Sequence, residues 1–393
     1  MRRVHEAPAI ALIDGEHHPG VVRDALDRLG PVAVVFCGGS EKLRPGSLDD
    51  RYGRPVRDDP EATLRELAAT AVRVVDLADE PPLPASAKLR LAALALSLGL
   101  EYEAPGLRLR PPRYEPVRFD GPKLAVIGTG KRTGKTAVAG YWATLLRDPV
   151  VVCMGRGGPP EPRVAEPGVS VQDLMALSDT GEHAASDYLE DALLAEVRTV
   201  GCRRVGGGLA GEPAESNVVD GAALAASLGP GTILFEGSGA CIPPVEVDRT
   251  LCLVGPGADE PFADYRLLRA DLVLAAEGAP APPGTPRFRL RPEPKDSVPE
   301  DARIALFTTG PDRCEGVDPL VVSTSLAHRA ELAEDLERAA AERCDLYLTE
   351  LKAAAIDTVA VAAASRGAGV AFVRNRPLGV GFDLDAELLK LMP

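Results

Sequence analysis

Short continuous apolar runs alternate along this chain with stretches in which apolar residues recur every three or four positions, the pattern of strands interleaved with amphipathic helices. Ala9–Ile13 is such a run and predicts a buried strand. Pro19–Leu29 follows with helical spacing, which places Val21, Val22, Leu26 and Leu29 on one side. Val32–Phe36 predicts a second strand, Gly38 and Gly39 turn the chain, and Glu61–Ala69 predicts another helix before a strand at Val72–Leu77. Lys88–Leu98 reads as a strongly apolar helix. Alternation of this kind points to a parallel sheet covered by helices.

The period then breaks. From Ala104 to Pro122 prolines and arginines gather without helical spacing, which marks a domain junction. The boundary is set at residue 118, giving a smaller amino-terminal α/β domain over 1–118 and a larger domain over 119–393. The second domain opens with a strand at Lys123–Ile127, a glycine-rich loop and a helix over Lys135–Leu146. Further strands are expected at Val150–Met154, Thr232–Phe235, Thr250–Val254, Leu272–Ala275, Ile304–Thr308, Leu320–Ser323, Leu346–Leu348 and Val370–Val373. The expected architecture is a doubly wound, mostly parallel P-loop NTPase sheet. Gly201–Gly211 is too glycine-rich for a regular element, and the proline-rich Gly278–Pro299 reads as a mobile crossing.

Length and charge narrow the picture. At 393 residues the chain is long enough for two cores. A formal net charge of −14 opposes broad attraction to nucleic acid or an anionic membrane, so any anionic substrate requires a local basic pocket. The seven cysteines lie far apart with no Cys-x-x-Cys spacing, as expected of small buried hydrophobes in a reducing, cytoplasmic setting. Neither a signal peptide nor a membrane-length apolar window is present. A homodimer is the base-rate expectation for a soluble enzyme.

The strongest chemical signal is Gly128-Thr129-Gly130-Lys131-Arg132-Thr133-Gly134-Lys135-Thr136 between an apolar strand and a helix. Loop amides and the positive end of the helix can surround phosphates, because the glycines let the main chain approach closely. Lys135 is expected to bridge the β- and γ-phosphates of ATP, and Thr136 to offer its hydroxyl oxygen to Mg2+. The strict pattern wants glycine where Thr129 stands; the variant resembles the dethiobiotin synthetase branch of P-loop proteins. Ile233-Leu234-Phe235-Glu236-Gly237-Ser238-Gly239 puts a carboxylate at the end of a buried strand, so Glu236 is the second expected magnesium ligand. Asn375-Arg376-Pro377 offers an amide to the adenine edge, and Thr349-Glu350-Leu351-Lys352 is a competing purine-pocket candidate.

A second substrate is expected at the other strand ends. Arg156 in Gly155-Arg156-Gly157-Gly158, Arg203 and Arg204 in a glycine-rich segment, and Lys131 and Arg132 inside the phosphate loop together offset several negative charges. Two amino-terminal loops, Asp14-Gly15-Glu16-His17-His18-Pro19 and Gly38-Gly39-Ser40-Glu41-Lys42, close strands on one edge. Asp14, Glu16, His17 and Lys42 are candidate substrate contacts there. Adjacent histidines point apart and lack a third ligand, so hydrogen bonding or capping is expected of them rather than metal binding.

At these loops the chain resembles the cyclic 2,3-diphosphoglycerate synthetase family: in Ile10-Ala11-Leu12-Ile13-Asp14-Gly15-Glu16-His17, in Gly38–Lys42, in Gly128–Thr136 and in Glu236–Gly239. The resemblance spans nearly the whole chain. It implies ATP-driven ring closure of 2,3-diphosphoglycerate to its cyclic anhydride, with phosphorylation of 2-phosphoglycerate as a related activity. Lys135, Lys131, Arg156 and Glu236 are then the residues expected to carry the chemistry. Two other readings stay open: a dethiobiotin-synthetase-like ligase, and a nucleotide-dependent switch or chaperone that turns over no small molecule.

Overall fold

A computed structural model describes residues 7–255 and 262–393. The described residues divide into two compact units, one formed by residues 7–113 together with 262–269, which include the helix Ala263–Leu268, the other by residues 114–255 and 270–393. Within the first unit, Ala263–Leu268 packs on the helix Ala85–Ser97.

The amino-terminal unit is built on a 6-stranded sheet in the order Val56–Arg57, Ala33–Phe36, Ala9–Ile13, Arg73–Asp76, Glu101–Ala104, Leu107–Leu109. Pairing is parallel except at the last hairpin. Ala9–Ile13 is buried along its whole length because helices cover both faces of a central parallel strand. The helix Pro19–Leu29 starts at the cap His18, whose ring accepts from Gly20 N–H at 3.2 Å, and stops at Gly30 in the left-handed region. Its buried stripe is Val22 and Leu26, whereas Val21 is 61% exposed and does not join the side assigned to it. Val21 and Val22 are adjacent, about 100° apart around a helix, so only one of them can face the sheet squarely.

The second unit holds a 13-stranded sheet. Its order is Glu215–Ser216, Arg198–Val205, Pro149–Gly155, Thr232–Glu236, Lys123–Gly128, Arg249–Val254, Leu272–Ala276, Arg287–Pro294, Gly369–Val380, Leu346–Glu350, Ile304–Phe307, Val321–Ser323, with Arg163–Ala165 also on Arg198–Val205. The central ladder is parallel, and the long antiparallel pair Arg287–Pro294 with Gly369–Val380 joins it to the strands that follow. The P-loop fold is therefore present as expected. Leu124, Val126, Val138, Trp142, Val151 and Leu234 form its apolar centre, each removed from solvent. Six of the seven cysteines are buried and all seven are free thiols.

Each of the two segments read as irregular contains part of an ordered strand. Residues 201–205 continue the strand Arg198–Val205, so only 206–211 remain as loop. Glycine at 201 reflects a close approach, since a Cβ there would lie 2.7 Å from the Tyr188 ring. Within Gly278–Pro299, Arg287–Pro294 pairs with Gly369–Val380 along its length and with Leu272–Ala276 only at Arg287 and Phe288, so Pro292 and Pro294 lie where it has one strand neighbour and a missing donor is tolerated. Proline content hid the alternation there.

Candidate active site: a phosphate loop, a buried carboxylate and converging arginines

The strand Lys123–Gly128 delivers the loop, and the helix Lys135–Thr144 leaves it from Gly134 at φ 89°. Two positions show why glycines are needed: a Cβ on Gly128 would sit 2.5 Å from Thr133 Oγ1, and Gly134 adopts a conformation that L side chains avoid. Thr129, which replaces the usual glycine, donates its amide to Leu253 O at 3.0 Å. Lys135 is buried and its Nζ donates to Gly130 O at 2.8 Å and to Thr133 Oγ1 at 3.1 Å. Burial lowers the pKa of this ammonium, while the Glu236 and Asp187 carboxylates work against that. Lys131 and Arg132 stand out from the loop, exposed, and form no hydrogen bond or ion pair with the described residues.

Glu236 ends the fully buried strand Thr232–Glu236, which runs parallel to the loop strand with Glu236 opposite Val126. That register sets the carboxylate beside the first turn of the loop helix, where Oε1 accepts from Thr136 Oγ1 at 2.6 Å. The other oxygen, Oε2, is buried with no hydrogen-bond partner. Burial and then the Asp187 carboxylate push the Glu236 carboxyl up to about 8, against the Thr136 hydroxyl and the Lys135 ammonium.

The sequence reading missed the helix Asp187–Leu194, which contributes Asp187, Glu190 and Asp191 on one face through i, i+3, i+4 spacing. Asp191 is buried, and burial followed by Glu236 drives its carboxyl well above the usual carboxylate range. An oxygen of Asp191, an oxygen of Glu236 and Cys153 Sγ lie within 4.8 Å of one another. Glu190 reaches Lys352 at 3.7 Å. Carboxylates in excess of ammoniums in one buried space call for a cation or for retained protons. Three carboxylates at helical spacing inside an otherwise apolar segment were the available signal.

Past the strand Pro149–Gly155, Arg156 turns toward the Glu236 loop: a Cβ on Gly239 would sit 2.4 Å from Arg156 Nη2 and 3.4 Å from Arg204 Nη2. Arg204 donates to Ser238 O at 2.8 Å and to Gly206 O at 2.6 Å. Burial and the neighbouring Arg156 lower the Arg204 pKa. Arg156 and Arg204 therefore converge, whereas Arg203 alternates to the opposite face of its strand and is exposed. Arg163, on the strand Arg163–Ala165, is held by Glu182 at 2.6 Å.

A cleft of about 190 Å³ lies along the loop helix, lined on one side by Thr136, Gly140 and Tyr141 and on the other by Asn375, Arg376 and Pro377. The two purine candidates that the sequence left unranked belong together: Asn375 Nδ2 donates to Glu350 Oε1 at 3.0 Å.

In the amino-terminal unit, Asp14 is fully buried and organises its loop instead of facing outward. Its carboxylate accepts from Glu16 N–H at 2.8 Å, from His17 Nδ1 at 2.9 Å and from the Asp79 amide. Burial raises the Asp14 carboxyl, but the Asp79 amide and His17 more than offset this and hold it below its ordinary value. His17 Nε2 lies 3.3 Å from Asp79, and Lys42 pairs with Glu16.

Three family models cover the chain: the N-terminal domain of cyclic 2,3-diphosphoglycerate synthetase over residues 8–110, its P-loop domain over 123–279 and its C-terminal domain over 296–376. Among curated relatives, the cyclic 2,3-diphosphoglycerate synthetase of Rubrobacter xylanophilus is 44% identical over 97% of this chain and 96% of its own length. That of Thermococcus kodakarensis is 36% identical over 97% and 98%. That of Methanothermobacter thermautotrophicus is 35% identical over 98% and 95%.

Proposed function

Because this chain belongs to the cyclic 2,3-diphosphoglycerate synthetase family, we propose that the loop Gly128–Thr136 holds ATP for ring closure of 2,3-diphosphoglycerate. The enzyme is an ATP-dependent ligase, and the nucleotide is its phosphoryl donor. The observation that carries the site assignment is the 2.6 Å contact between Thr136 Oγ1 and Glu236 Oε1, which joins the loop helix to a buried strand-end carboxylate.

Mg2+ fits this place. It takes oxygen ligands, and Thr136, Glu236 with its unpartnered Oε2, and Asp191 would supply them, while the Cys153 sulfur is too soft to serve. When bound, the ion would supply charge neutralisation at the nucleotide phosphates. Lys135 adds a fixed positive charge from a nearly dry position, where it acts more strongly than in water. Lys131 extends the positive rim.

Arg156 and Arg204 bind the phosphates of the phosphoglycerate. Their guanidiniums converge beside Gly239, close to the strand end that carries Glu236, so a substrate bearing two phosphate groups meets charge that is already in place. The γ-phosphoryl group passes to one substrate phosphate, breaking the bond to ADP. The neighbouring substrate phosphate then attacks the inner phosphorus and expels inorganic phosphate, leaving the cyclic anhydride. A phosphate dianion is already a nucleophile, so charge neutralisation and alignment matter more than a general base. Residues 206–211, with Gly206 bonded to Arg204, are the segment proposed to close over the intermediate.

Glu16, His17 and Lys42 are proposed to contribute substrate contacts from the amino-terminal unit, with Asp14 as the residue that orients them. 2-Phosphoglycerate is proposed as a related substrate. A cytoplasmic location is consistent with seven free thiols, and a homodimer is the oligomer to test by light scattering.

The deciding assay combines the enzyme, MgATP and 2,3-diphosphoglycerate, follows phosphate release and identifies the product by phosphorus NMR. One phosphate released per cyclic product is expected; ATP turnover indifferent to the phosphoglycerate overturns the reading.

A further inference from the structure

Asn375 lines the cleft beside the loop helix, whereas Glu350 stands behind it on the neighbouring strand Leu346–Glu350. Glu350 is buried, and both of its oxygens accept hydrogen bonds. Oε2 accepts from the Thr309 amide at 2.7 Å and from Thr309 Oγ1 at 2.7 Å, and Oε1 accepts from Asn375 Nδ2 at 3.0 Å. A carboxylate accepts hydrogen bonds and donates none, so the end of the Asn375 amide that faces Glu350 is its nitrogen. The carbonyl oxygen, Oδ1, is then the end left for a ligand, and it accepts no hydrogen bond from the described residues.

We infer that Glu350, locked by Thr309, acts as a positioning residue that sets the Asn375 amide to read an amino donor at purine C6, and so selects adenine over bases with an oxygen there. The inference rests on the proposal that this cleft receives the base of ATP. Adenine presents an N–H donor at C6 to Asn375 Oδ1; hypoxanthine and guanine present a carbonyl, which sets two acceptors against each other. An unrestrained asparagine would relieve that conflict by turning its amide over. Glu350 prevents it, because the turned amide would set Oδ1 against a carboxylate oxygen 3.0 Å away.

Glu350→Gln makes a specific prediction. The glutamine carbonyl can take both Thr309 bonds, which turns its amino group toward Asn375 and lets Asn375 Oδ1 accept from it. The Asn375 amino group then points into the cleft and favours an oxygen at C6.

The test measures binding of ATP and inosine triphosphate by calorimetry with magnesium and without phosphoglycerate, for wild type, Glu350→Gln, Asn375→Ala and the double variant. Wild type should prefer ATP by about tenfold or more. Glu350→Gln should lower that preference at least tenfold with its melting temperature followed alongside, and should have no further effect on the ratio in the Asn375→Ala background. A folded Glu350→Gln protein that keeps the wild-type ratio, while Asn375→Ala loses it, overturns the positioning role alone. Unchanged ATP affinity in Asn375→Ala overturns the placement of adenine itself. Should Glu350→Gln fail to fold, wild type decides with purine riboside triphosphate, which carries no group at C6. Affinity between those of ATP and inosine triphosphate is expected, and equal affinity for all three overturns the inference.

Discussion

Lys135 shows how one side chain serves two requirements. Its ammonium is nearly dry, satisfied by Gly130 O and Thr133 Oγ1, and faces the carboxylates of Glu236 and Asp187. Lys135→Ala should abolish phosphoglycerate-dependent turnover while leaving the circular dichroism spectrum unchanged, because the loop glycines and not the lysine shape the backbone; wild-type turnover in that variant places ATP wrongly. Glu350 gives a pH test with a defined sign. Burial raises its carboxyl, but Lys352 and the Thr309 and Asn375 donors bring it below its ordinary value of 4.5. A depressed folded pKa means its stabilisation is complete above pH 4.5 and fades as pH falls below that value toward the folded pKa. Melting temperature followed from pH 6 to pH 3 should therefore decline less steeply in Glu350→Gln than in wild type over the acid end of that range. Parallel slopes would mean that Glu350 is not held ionised by its partners.

At the scale of elements, strands that the sequence announced were those buried on both faces, such as Thr232–Glu236, whose run of β-branched and large apolar residues has no other reading. Arg198–Val205 was harder, since Gly201 and two arginines interrupt it. The glycine is there for Tyr188, a contact between residues that only packing brings together. Gly201→Ala should therefore destabilise the second unit by about 1–3 kcal/mol, as overpacking does in other cores, measured as a lower urea midpoint. A neutral outcome would favour a loose loop at 201. Arg203 and Arg204 illustrate the same limit: sequence proximity grouped them, and the twofold period of a strand sends them to opposite faces, so only Arg204 meets Arg156. Arg204→Ala should raise KM for the phosphoglycerate more than tenfold, against a much smaller effect for Arg203→Ala; equal effects would remove the proposed clamp.

For the molecule as a whole, a net charge of −14 makes the basic rim of the P-loop unit a local exception, and the proposed substrate capture by Arg156, Arg204, Lys131 and Lys135 has to overcome the average field. Ligand binding should be visible in the stability of that unit. MgATP at about 100 times its dissociation constant should add about 2.7 kcal/mol, read as hydrogen-exchange protection in Lys123–Gly128 and Lys135–Thr144. No added protection would contradict nucleotide binding in this loop. What the sequence determined by itself was everything whose physics is local. Glycines that free a loop backbone, a lysine and threonine opening a helix, a carboxylate closing an apolar strand and the alternation of strand and helix all act through contiguous residues. Tertiary structure decided which separate strand ends meet. Parallel register aligned Glu236 with the loop strand and set Glu350 near Asn375 on neighbouring strands, while helix packing brought Asp191 of Asp187–Leu194 to Glu236. Such meetings depend on register and close packing between distant segments, and a linear pattern of polar and apolar positions does not encode them residue by residue.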